Sequence, residues 1–182
     1  AAIAATSATA FAHPGHETSG LLSGFAHPMG GLDHLLAMLA IGLWAAHMGG
    51  KAIWAVPAAF IGAMLLGGAI GASGVAFPFV EQGIALSVIV LGLCLAGAAR
   101  FPVALCSLMA GAFALFHGIA HGAEMPVGTN GFSYAAGFAI ATAALHLAGI
   151  ALASAVKPVQ SGLLNRVAGG MIAVAGAAFA VI

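Results

Sequence analysis

Eight of the 182 residues are histidine, as many as Lys, Arg, Asp and Glu combined. They are grouped. One group is His27-Pro28-Met29-Gly30-Gly31-Leu32-Asp33-His34, and another is Phe116-His117-Gly118-Ile119-Ala120-His121-Gly122-Ala123-Glu124. In the second, His117 and His121 are one helical turn apart and Glu124 follows three residues later. A helix continued through Glu124 turns all three to one side. Two neutral imidazoles and a carboxylate on one face suit a borderline divalent ion such as Ni²⁺, Co²⁺, Zn²⁺ or Fe²⁺. The bland alternative is a pair of satisfied core histidines. In the first group, Pro28 and the paired glycines predict no regular helix before Gly31, which leaves His27 free to fold back over Asp33 and His34. Asp33 at a helix start is either an N-cap or, with two histidines beside it, a ligand. Met38 lies one turn beyond His34 on the same face.

Composition limits the elements that carry these groups. Charged residues make up 4% of the chain and hydrophobic residues 63%, with 27 glycines and a mean hydropathy of +1.15. A soluble domain carries about 25% charged residues. The deficit excludes a soluble enzyme, a disordered tail and a nucleic-acid binder, which needs a basic patch. The chain reads as an all-α integral membrane protein. A span takes about 20 apolar residues, and six segments qualify: 31–48, 53–72, 81–99, 101–121, 132–154 and 164–182. The alternation expected of a barrel strand is absent, so the spans are helices in a bundle. Gly67-Gly68-Gly71, Gly92 with Ala96, Gly118 with Gly122, and Gly169-Gly170 predict close helix approach. Gly118 and Gly122 would admit a neighbour that completes the ion's shell.

Residues 1–12 end in Ala10-Phe11-Ala12 before His13, like the tail of a secretory signal peptide, and residues 13–182 form a single transmembrane domain. A translocated N-terminus places Lys51, Arg100, Lys157 and Arg166 in cytoplasmic connections, as the positive-inside rule requires, and Glu17, Glu81 and Glu124 outside. With six spans the C-terminus is outside too. Asp33 and His34 then lie within a turn of the outer face. His117, about 24 Å along a span that enters from inside, reaches the same layer. His13, His16 and Glu17 either catch ions outside or belong to a polar N-terminus. His146, about 21 Å into its span, either relays an ion inward or bonds a neighbouring helix. His47 beside Lys51 reads as a snorkelling residue, and Cys94 and Cys106 as small hydrophobes.

At the two groups the sequence resembles the HupE/UreJ family of nickel/cobalt permeases. The family motif H-x5-D-H matches His27, Asp33 and His34, and F-H-G-x-A-H-G-x-E matches Phe116, His117, Gly118, Ala120, His121, Gly122 and Glu124. The resemblance implies import of Ni²⁺, or Co²⁺, across a bacterial inner membrane for hydrogenase or urease maturation. The expected protein is a secondary permease, not an enzyme. It has no prosthetic group, no nucleotide-binding motif and no nucleic-acid partner, and the sequence leaves its oligomeric state open. His27, Asp33, His34, His117, His121 and Glu124 would bind the ion, with His13, His16, Glu17, Met38 and His146 as capture or relay positions. A haem-binding electron-transfer protein also explains paired histidines, but it has no use for Asp33 and Glu124. An intramembrane metallohydrolase would want a general base. Glu124 offers one, yet H-E-x-x-H is missing.

Overall fold

The structure is a computed structural model that describes residues 20–156 and 158–181. The signal-like segment 1–12, the capture residues His13, His16 and Glu17, and Lys157 lie outside the described residues. Within them the elements are α1 (Gly20–Ala26), a 3-10 turn (His27–Met29), α2 (Leu32–Met48), α3 (Ala52–Ala72), α4 (Val80–Ala96), α5 (Val103–Ala123), α6 (Gly131–Ala155) and α7 (Pro158–Phe179).

Helices α3, α5 and α6 and the Gly162–Phe179 part of α7 are each long and apolar enough to cross a bilayer. The α1 and 3-10 segment together with α2 also passes, as a pair bent by 84°. Helix α4 is apolar but has 17 residues, about 26 Å at the helical rise against a hydrocarbon core of about 30 Å. With so few charges, this is a multi-pass membrane protein. Trp54, Leu108, Phe132 and Met171 are exposed on the outside of the bundle, while Met38, Trp44, Phe60, Met64 and Leu91 fill the interior.

Glycines set the closest approaches. A Cβ at Gly118 would overlap the Met64 carbonyl, and one at Gly122 the Gly68 carbonyl. Reciprocally, Gly67 and Gly71 lie against the carbonyls of Leu115 and Ile119, so α3 and α5 run parallel in close contact. Gly92 and Gly169 bring α4 and α7 together antiparallel, and Gly42 and Gly149 seat α2 on α6. In lipid, such backbone proximity is what associates helices.

The expectation of no regular helix before Gly31 fails. A helix does form before Gly31, because α1 is held by tertiary contact: a Cβ at Gly24 would overlap the Tyr134 carbonyl, and one at Gly137 the Leu21 carbonyl. Seven residues alone are too few for a stable helix, and packing on α6 supplies what propensity cannot. Pro28 is tolerated at the start of the 3-10 turn, where an N–H is not needed. The Gly30-Gly31 break then turns the chain into α2.

Candidate metal centre

The first turn of α2 orients one imidazole. Gly31 occupies the N-cap position in an extended conformation, with no side-chain cap. Asp33 is therefore not the cap. Its Oδ1 instead accepts from the His34 backbone N–H and faces His34 Nδ1, both at 2.9 Å. A carboxylate only accepts, so the proton of a neutral His34 resides on Nδ1 and Nε2 presents a lone pair. Nε2 is buried with no hydrogen-bond partner among the described residues. A Cβ at Gly31 would come within 2.7 Å of Asp33 Oδ1 and 2.9 Å of His34 Nδ1, so glycine here keeps the Asp33–His34 pair intact.

Helix α5 supplies the next two rings. His117 is fully buried, with Nε2 2.8 Å from Ser87 Oγ on α4 and Nδ1 unpartnered. One turn later His121 is buried, and neither ring nitrogen, like His117 Nδ1, has a partner among the described residues. The neighbour admitted by Gly118 and Gly122 is α3, which carries no His, Cys, Asp or Glu. The groups that face the α5 histidines come instead from α2 and the 3-10 turn.

His27 does not fold back over Asp33 and His34. The 3-10 turn aims it at the end of α5, where its ring meets His121 edge-on at 4.7 Å between centroids and Nε2 is 3.1 Å from Glu124 Oε2. His27, His121 and Glu124 each offer a donor atom, and these atoms lie within 4.8 Å of one another. His34 stands 4.1 Å from His121 and 4.6 Å from His117, centroid to centroid. Four imidazoles from two distant stretches of sequence thus form a file, in the order His27, His121, His34, His117. Glu124, 61% exposed, opens it at the rim, and His117, with no exposure, closes it.

Helix α6 walls the file with Phe138, 4.2 Å from His121, and Tyr134, 5.7 Å from His27. A cavity of about 510 Å³ between α3, α5 and α6 borders His121, Tyr134 and Phe138 and is otherwise apolar. Beyond the buried end of the file, Phe60 touches both His117 (5.8 Å) and His146 (5.2 Å). His146 is buried and makes no hydrogen bond to a neighbouring helix among the described residues. Met38 belongs to the apolar core. His47 does not snorkel: Nε2 donates to the Ala98 carbonyl at 3.1 Å and Nδ1 accepts from Asn165 at 3.1 Å.

Ser87, Tyr134, Phe138 and Phe60 escaped sequence reasoning. Ser87 carried a signal, as the one hydroxyl in α4, and so did Tyr134, the single tyrosine of the chain. The two phenylalanines are indistinguishable by sequence from lipid-facing ones.

The sequence profile described as HupE / UreJ protein matches residues 1–179. Protein HupE of Rhizobium leguminosarum bv. viciae is 48% identical over 172 residues, covering 94% of this chain and 90% of that protein. No solved structure matches the chain. A match over nearly the whole length, together with the two histidine groups meeting in one place, makes the chain a member of the HupE/UreJ family.

Proposed function

We propose that the protein is a permease that imports Ni²⁺, or Co²⁺, across a bacterial inner membrane to supply hydrogenase or urease maturation, and that it is not an enzyme. The chain crosses six times, with both ends outside and the shorter α4 as one crossing. Glu124 and His27 receive the ion at the outer rim, and His121, His34 and His117 carry it inward, with Asp33 orienting His34. Phe60 separates this file from His146, the next donor toward the cytoplasm. The observation that carries the reading is the set of buried ring nitrogens at His34, His117 and His121 that have no partner among the described residues. A buried polar atom left unpaired costs about 1–3 kcal/mol, and a divalent ion passing along the file satisfies each in turn.

No coupled reaction is required. A divalent cation entering a negative interior gains about 4.6 kcal/mol per 100 mV, which supports accumulation on the order of a thousandfold. Haem ligation fits less well, since rings packed 4.1 to 4.7 Å apart leave no slot for a porphyrin between them.

The test is initial-rate Ni²⁺ uptake into proteoliposomes at an imposed inside-negative potential, with Co²⁺ and Zn²⁺ as competitors. The expected result is potential-driven uptake that both His34→Ala and His121→Ala abolish. Binding without uptake would point to a sensor, and a Soret band in the purified protein to haem.

A further inference from the structure

Ser87 sits on α4, fully buried, between the backbone of its own helix and the innermost imidazole. Its Oγ–H donates to the Ile84 carbonyl at 2.6 Å, and the same oxygen is 2.8 Å from His117 Nε2. A serine hydroxyl has one proton. With that proton directed at Ile84, the oxygen can only accept from the ring, so His117 carries its hydrogen on Nε2 and a lone pair on Nδ1. The opposite arrangement would bury an Nδ1–H with no acceptor, since Nδ1 has no partner among the described residues. One tautomer strands a proton; the other presents a donor atom to a cation.

The register that makes this contact is built into the two helices. A Cβ at Gly83 would come within 2.5 to 2.8 Å of the Phe116 ring. Phe116 is therefore seated on Gly83, one turn before Ser87, while His117 follows Phe116 directly. The aromatic residue of the second motif docks α5 on α4 at the height that sets His117 against Ser87.

We propose that Ser87 is a positioning residue that holds His117 in the Nε2–H tautomer, so that His117 Nδ1 and His34 Nε2 form the innermost donor pair of the file. The two rings are then prepared alike: Asp33 takes Nδ1 of one, Ser87 takes Nε2 of the other, and each is left with a lone pair for metal. This role rests on the transport reading above, but its tautomer component does not depend on transport.

The experiment uses full-length protein with ¹⁵N-labelled histidine in nanodiscs, metal-free, with the His117 resonances assigned by their loss in His117→Gln. The expected spectrum shows a protonated Nε2 in the wild type and a mixed or reversed tautomer in Ser87→Ala. In proteoliposomes, Ser87→Ala should raise the Ni²⁺ half-saturation concentration about 10- to 100-fold, the usual effect of removing a partner of a metal-ligating histidine. Ser87→Cys, of similar size but a weaker acceptor, should fall between and guards against a folding defect in the alanine variant. A protonated Nδ1 in the wild type overturns the proposal. So does a tautomer unchanged in Ser87→Ala, or a half-saturation within twofold of wild type, while wild-type transport stands. Failure of the wild type to move Ni²⁺, with the tautomer result as expected, would instead sink the transport reading and leave the Ser87–His117 assignment in place.

Discussion

Asp33 is the acidic residue placed closest to the buried rings, yet its bonds go to His34 rather than into the file. A carboxylate on the far nitrogen of a ligating imidazole fixes the ring and raises its basicity. Asp33→Asn keeps the shape and removes the charge, so Ni²⁺ affinity in equilibrium binding should fall about 10- to 100-fold. A loss no larger than twofold would mean that the Asp33 charge contributes nothing to the ion. An imidazole must be deprotonated to hold metal, so Ni²⁺ affinity should fall on acidification, and an affinity that never changes with acid would count against histidine ligation. The sequence displayed all of these histidines but not their division of labour. Asp33 reads as cap or as ligand until the extended Gly31 is seen to occupy the cap position and His34 to take its carboxylate. Ser87 is the one hydroxyl of α4, and only three-dimensional proximity ties it to His117.

At the scale of the helix, the glycines of the second motif act on a different face from its histidines. His117 and His121 meet the imidazoles of α2 and the 3-10 turn, whereas Gly118 and Gly122 hold α5 against α3 backbone to backbone. Overpacking a tight contact costs typically about 1–3 kcal/mol, and here the obstacle is backbone, which yields least. Gly118→Leu should therefore lower the melting temperature in detergent and broaden the size-exclusion peak, with transport lost alongside. Gly62→Ala, on α3 where an added Cβ meets nothing, should leave both unchanged. Equal behaviour of the two variants would remove α3–α5 packing from the account. The helices were legible because lipid demands long apolar runs, and the glycine spacing foretold close approach. What spacing could not foretell was which helix would come close. The helix at 20–26 was hidden for a related reason: its stability resides in α6, at Tyr134 and Gly137, more than a hundred residues away in sequence.

At the scale of the whole molecule, charge among the described residues is sorted by end. Trp44 Nε1 and His47 Nε2 donate to the carbonyls of Ala99 and Ala98, so the end of α2 lies beside the α4–α5 connection, and Lys51 and Arg100 share one end of the bundle. Asn165 donates to His47, which brings α7 near Arg166 to the same end. Glu124 and His27 mark the opposite end, where the imidazole file opens. Basic residues are generally retained on the cytoplasmic side, so the proposed orientation, with the mouth of the file outward as import by an inside-negative potential requires, predicts which end an external reagent can reach. Cysteine accessibility checks it directly. Val127, fully exposed in the loop after Glu124, and Lys51, exposed in the α2–α3 turn, are the informative positions. With a membrane-impermeant maleimide, Val127→Cys should label in intact spheroplasts and Lys51→Cys only after permeabilisation. The native Cys94 and Cys106, both inside helices, set the background in the unsubstituted chain. The reverse pattern would place Glu124 and His27 in the cytoplasm, where the same potential would oppose release outward, and would overturn the proposed direction of transport whatever the ion.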